Sequence, residues 1–346
     1  MKRHIAVLVA LVTVLACGGG GAGTPVITIP DAQREAVLQS LTDQFEQIVH
    51  AGGTVDSQIQ AIAGVMAGMP EFEAAGHSSE FGSAWGRFTD GRLLIVGNNG
   101  FPSGAPGAPI KRSNATFIAK SGNARLGHAF GSNFPQLQDP INDMARYLQV
   151  DGSYQIASPP EGKLRLSDLR AVSGDAFVYF NAHGGEGTTK SNQTVFIMAS
   201  STPQDAATDA LPEVKADWDA DRLAYYIGET GVSVGGVRQV AKTYGINEKF
   251  VKAYMSFGPN AIVFLNVCYT ANPHLAVGQF RSAFLSKGAG VVLGWTQLCN
   301  SSSAFDAARF FVDRLEADDS LYVSGRSERL SGANRGVWKR ARKGVS

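Results

Sequence analysis

The stretch AIVFLNVCYTA, residues 261–271, opens with five consecutive apolar residues, passes through Asn266 and reaches Cys268 beside a cluster of small and polar residues. A run so short and so apolar, followed by turn-forming residues, predicts a strand buried on both faces, as strands of parallel sheets are. A thiol delivered at the end of such a strand is inert packing, half of a disulfide or a nucleophile. Its surroundings in the chain decide between these.

From about residue 113 onward, short apolar strands alternate with helical patterns. The strands ARLGHAF, SYQIA, AFVYFNA, AIVFLNV and GVVLGW are separated by the helical segments DPINDMARYLQ, LRLSDLRAV, DWDADRLAYYIG, NEKFVKAYMSF and AVGQFRSAFLSKG, and SSAFDAARFFVDRLEA follows. An irregular stretch lies between AFVYFNA and DWDADRLAYYIG. This alternation predicts an α/β fold with a mostly parallel sheet and helices on each side. Residues 31–112 read differently. Two amphipathic helices, with Leu38, Leu41, Phe45 and Ile48 on one face of the first and Ile59, Ile62 and Met66 on the second, precede a hairpin turning at Asp90-Gly91. They predict a small α+β N-terminal region, ending in the linker GFPSGAPGAPIKR, before a main domain at 113–325.

In an open parallel sheet, chemistry sits beyond the C-terminal strand ends. The strand AFVYFNA, 176–182, runs into His183-Gly184-Gly185, and AIVFLNV runs into Cys268. If the strands are neighbours, an imidazole meets a thiol, and a histidine activates the thiolate that does the attacking. A glycine after the histidine lets a backbone N–H approach a carbonyl oxygen. With the Cys268 amide, the Gly184 or Gly185 N–H is suited to hold a tetrahedral oxyanion.

FVYFNAHGG and AIVFLNVCYTA, followed by a helix and GAGVVLGWTQ, resemble the histidine and cysteine blocks of the clan CD cysteine peptidases, which include caspases, metacaspases, gingipains, clostripain, legumain and CHAT domains. The resemblance covers roughly residues 120–320. It implies a caspase-like α/β/α sandwich, His183 as the catalytic histidine, Cys268 as the nucleophile and the Gly184 and Cys268 amides as the oxyanion hole. It requires no third triad member. In that family the residue two before the nucleophile helps to line the specificity pocket, a place held here by the neutral Asn266. The expected preference is for small or polar side chains, unless Asp205, Asp209 or Asp217 folds over the cleft and selects Arg or Lys.

The N-terminus, MKRHIAVLVALVTVLACGGGGAG, has two early cations and an apolar stretch too short to span a bilayer, as a secretory signal has. VLAC resembles a bacterial lipobox. The expectation is a signal over 1–16, lipidation at Cys17, a glycine-rich tether over 17–30 and attachment to the cell envelope. A net charge of +1 gives no bulk attraction to nucleic acid, and the basic tail, 326–346, reads as a solvated exception. The partners expected are a protein or peptide substrate and a membrane reached through the lipid.

Three other readings compete. The same fold can bind or scaffold without cutting. Cys268 and Cys299 can form a disulfide in a passive envelope protein. Cys268, His183 and His274 can be argued as zinc ligands, but three protein ligands in defined geometry are wanting, so no metal is expected. No phosphate-binding or dinucleotide fingerprint is present, and no cofactor is expected.

Overall fold

The computed structural model describes residues 29–98, 122–129, 135–150, 154–157, 162–189, 191–234, 237–299 and 301–316. Cys17, the linker before residue 113 and the basic tail lie outside them.

Two helices begin the described chain, α1 (Asp31–His50) and α2 (Val55–Ala67), each burying an apolar stripe. Thr54 caps α2, its hydroxyl accepting the Ser57 N–H at 3.1 Å. Pro30 holds the cap position of α1, and Asp31 is its first helical residue, an acidic side chain in the first turn. A three-stranded meander follows: β1 (Phe72–Ser78), β2 (Ser83–Phe88) and β3 (Leu93–Gly97). Gly91, at φ 91°, supplies the left-handed residue of the β2–β3 turn.

Next come β4 (Gly122–His128), α3 (Pro135–Val150), β5 (Tyr154–Ile156), α4 (Leu166–Arg170), β6 (Asp175–Asn181), β7 (Gly184–Thr188) and β8 (Thr194–Pro203). The short helices α5 (Ala206–Asp209) and α6 (Pro212–Asp219) lead to β9 (Leu223–Val234) and β10 (Val237–Ile246). The chain continues as α7 (Glu248–Tyr254), β11 (Phe257–Asn266), α8 (Leu275–Ser286), β12 (Ala289–Leu293) and α9 (Ser301–Glu316).

The strands form two sheets. One has the order β12-β11-β6-β4-β5, and every neighbouring pair in it is parallel. The apolar runs of β6 and β11, Ala176–Phe180 and Ala261–Leu265, are buried, which explains why their sequences there are unbroken by polar residues. Helices α3 and α9 pack on each other, α3 against β4 and α9 against β11.

The other sheet differs from expectation. It has seven strands in the order β1-β2-β3-β9-β10-β8-β7, antiparallel except where β3 meets β9. The segment expected to be irregular is β7 and β8, and most of the predicted helix DWDADRLAYYIG divides between α6 and the start of β9. The sheet curls until its last strand packs on β2 and β3. Gly185 and Gly187 permit this approach, because a Cβ at either would lie 2.7 or 2.6 Å from the Ile95 side chain.

The N-terminal region is therefore not a separate unit divided off near residue 112. Leu94 to Gly97 pair in register with Tyr225 to Gly228, and Glu35 of α1 bonds Lys242 of β10 at 2.6 Å. Arg34, almost wholly buried, joins Asp31, the Ile29 carbonyl and Asp90 in the hairpin turn. Helix α8 lies between the sheets, touching both β12 and β8.

Candidate active site

Only Ala182 and His183 separate β6 from β7, so His183 sits where the chain leaves the parallel sheet for the curled one. Its carbonyl is anchored to the second sheet, accepting the Ala199 N–H at 2.9 Å. The half-buried imidazole lies parallel to the ring of Tyr226 on β9, with planes 9° apart and centroids 6.3 Å apart.

Cys268 reaches the same place from the neighbouring strand. Asn181 of β6 and Asn266 of β11 are register partners in the parallel ladder. His183 and Cys268 are thus each the second residue beyond adjacent strand ends. Val267 and Thr270 close a tight turn in which the Thr270 hydroxyl donates to the Val267 carbonyl at 2.7 Å. Tyr269, the second central residue, takes φ 65°, a left-handed conformation that costs a residue with a Cβ about 1 kcal/mol or more. The turn places Cys268 at its first central position, clear of the ladder.

Gly184 is pressed against the strand that carries the thiol. A Cβ there would stand 2.7 Å from Val267 Cγ1 and 2.4 Å from Phe196 Cζ. Gly184 and Met198 oppose each other as a pair that exchanges no ladder bonds, because the Ala199 N–H is bonded to His183 instead. The Gly184 N–H and C=O consequently face away from β8. The carbonyl accepts from the Tyr226 hydroxyl at 3.4 Å.

Tyr226 is wholly buried, and burial, helped by the nearby Cys268 sulfur, keeps its phenol far above the usual range. It touches the histidine's surroundings, the Gly184 peptide and the field of the thiol at once. Nothing in the sequence marked it, since the segment had read as helix.

Cys268 is 5% exposed and is a free thiol, as is Cys299. The two sulfurs stand 3.7 Å apart, and the Cys299 N–H points to Cys268 Sγ at 3.5 Å. The Cys299 thiol stabilises the Cys268 thiolate and lowers its pKa against the opposing effect of burial, while Cys299 itself is pushed well up. The disulfide weighed from sequence is not formed here, although the pairing of positions is.

Asn266 is 3% exposed and its carboxamide is fully committed. It donates to Tyr179 Oη at 2.8 Å and Asn181 Oδ1 at 2.9 Å, and accepts from Trp295 Nε1 at 2.7 Å. It forms a floor under the half-buried Trp295 rather than an open wall with bonds to spare.

None of the three aspartates considered as a lid is free to serve as one. Asp205 caps α5 through the Thr208 N–H at 2.7 Å. Asp209 is buried, accepting from Tyr244, Tyr225 and Trp218. Asp217 is buried between Arg170, Arg222 and Tyr254. His274 pairs with Glu186 at 3.1 Å, and among the described residues no three His, Cys, Asp or Glu side chains form a metal-holding group.

No known protein-family model matches the chain, and no curated protein matches it in sequence.

Proposed function

We propose that the chain is a caspase-like cysteine peptidase acting through His183 and Cys268. The observation carrying this reading is the register of Asn181 with Asn266, which delivers an imidazole and a thiol to the seam between the two sheets from equivalent positions on adjacent strands. The parallel sheet's order, with its first strand flanked by the second and third, suits a caspase-like core. The added curled sheet would be this chain's own elaboration.

In this mechanism His183 removes the Cys268 proton and the sulfur attacks a peptide carbonyl carbon. The oxyanion is held by the N–H groups of Gly184 and Cys268. Collapse expels the amine, which takes the proton from His183, and leaves a thioester. Water, deprotonated by His183, then releases the acid and regenerates the thiol. With Asn266 bonded to Tyr179, Asn181 and Trp295 and the three aspartates committed elsewhere, none of these residues selects a charged side chain, and small or polar side chains are the expected preference before the cleaved bond. The same reading places the mature chain in a bacterial envelope, acylated at Cys17. Metabolic labelling with a lipid analogue, lost in Cys17→Ser, tests that part.

For the catalytic part, the reduced chain is incubated with a peptide library and with a peptidyl acyloxymethyl ketone. Hydrolysis and labelling of Cys268 are expected, with turnover reduced about a thousandfold or more in Cys268→Ala and His183→Ala. Turnover that persists in Cys268→Ala overturns the assignment. A folded chain that neither labels nor cleaves is a scaffold on the same fold.

A further inference from the structure

Cys268 and Cys299 leave neighbouring parallel strands, β11 and β12, and meet beyond their ends with the sulfurs 3.7 Å apart. The meeting is built into the fold. Three bonds tie the segment after β12 to the turn after β11: Tyr269 N–H to the Gln297 carbonyl at 3.3 Å, Ala271 N–H to the Trp295 carbonyl at 2.8 Å, and Asn272 Nδ2 to the Thr296 carbonyl at 3.3 Å. A disulfide has its sulfurs about 2.05 Å apart, so less than about 2 Å of movement separates this pair from a bond. Cys299 is the less buried member.

We infer that Cys268 and Cys299 form a redox-active dithiol, in which oxidation links the proposed nucleophile into an intramolecular disulfide and thiol exchange releases it. The inference takes from the proposed function only the consequence of the linkage, which is loss of hydrolysis.

Hydrogen peroxide is a sufficient oxidant. The Cys268 thiolate attacks one peroxide oxygen, the O–O bond breaks, and the departing hydroxide takes up the proton released by the thiol to become water. The resulting sulfenic acid is attacked at sulfur by Cys299, the S–O bond breaks, and the hydroxyl leaves with the Cys299 proton as a second water. Two thiols and one peroxide become a disulfide and two waters. In reduction, an external thiolate attacks the more accessible Cys299 sulfur and Cys268 departs as thiolate. A second external thiol then frees Cys299 as the small disulfide forms. Cys268 is suited to leave, because the Cys299 N–H remains beside it. The partner sulfur also keeps Cys268 from further, irreversible oxidation.

The experiment uses the full chain carrying Cys17→Ser, which removes the third cysteine. The reduced protein is treated with hydrogen peroxide, alkylated with iodoacetamide and digested with trypsin. The expected product is a linked pair of peptides, 253–281 and 288–309. Alkylation of Cys268 should fall about a hundredfold and return with dithiothreitol. In Cys299→Ser and Cys299→Ala, Cys268 should pass to sulfinic acid and dithiothreitol should not restore it. Peroxide-treated protein without the linked peptides, or variants as recoverable as the parent, overturns the inference. The linkage is read without any substrate. A reversible link in a chain that cleaves nothing removes the peptidase and leaves the dithiol, and cleavage by a chain that never links does the reverse.

Discussion

Tyr226 donates its hydroxyl to the carbonyl of Gly184 across 3.4 Å, from a ring that lies 9° from the plane of the His183 imidazole. One buried side chain thereby holds the Gly184 carbonyl, on the peptide that follows the proposed oxyanion N–H, and lies beside the proposed base. Tyr226→Phe keeps the ring and removes the donor. Its expected effect is a fall in kcat of about tenfold with KM little changed, since a shifted Gly184 would misplace the proposed oxyanion donor without weakening the hold on substrate. Thermal stability should drop by only about 1 kcal/mol. An equal loss in kcat and KM, or none in either, would show that the hydroxyl has no part in orienting the site.

Alkylation of Cys268 should begin at a lower pH than for an ordinary thiol. Its pKa is lowered chiefly by the Cys299 thiol, and the thiolate, the reactive form, is present above that pKa. Cys299→Ala removes the largest lowering contribution and leaves burial opposed only by the backbone N–H groups of residues 299 and 268, so the midpoint of the iodoacetamide rate against pH should move upward. An unchanged or lower midpoint would mean that Cys299 does not stabilise the thiolate.

Asn266→Ala should slow cleavage of every peptide by a similar factor rather than alter the preference among them. The substitution strands Trp295 Nε1, Tyr179 Oη and Asn181 Oδ1, whose partners are the two ends of one carboxamide. Stranding buried polar groups costs about 1–3 kcal/mol each, so the melting temperature should fall as well. A changed preference at full stability would return Asn266 to the pocket wall.

Asp217→Ala should destabilise the fold by about 3–5 kcal/mol, because it leaves Arg170 and Arg222 without the buried carboxylate they share. Cleavage preference in the surviving folded fraction should be that of the parent. Denaturant titration and a peptide-library profile measure the two effects separately. A shift in preference without loss of stability would place this aspartate in contact with substrate.

The parallel sheet was legible because its strands are buried on both faces and therefore write themselves as apolar runs, as Phe177–Phe180 and Ala261–Leu265 do. Placing His183 and Cys268 at strand ends followed directly, since the residue after such a run is where the chain can turn. The curled sheet was not legible. In β9, Leu223, Tyr226 and Ile227 imitate helical spacing, and the strand is buried along Leu223–Ile227, which erases the alternation that marks a half-exposed strand. In β7 the glycines that admit Ile95 and Leu93 read as loop. Asn266 was expected to line a specificity pocket; its carboxamide is bonded to Tyr179, Asn181 and Trp295, and no pattern local to β11 announces those bonds.

The pairing of β3 with β9 also sets an order of events during synthesis. Leu94 leaves the ribosome roughly 130 residues before Tyr225, its partner, and at about 5–20 residues per second the apolar meander waits several seconds or more without an edge to join. Once the edge arrives, the early segment becomes an inner strand of a sheet whose other half was made last. Cutting the connection after Asn98 would then release nothing. Two polypeptides would remain joined through the ladder of Leu94–Gly97 with Tyr225–Gly228 and the Glu35–Lys242 pair.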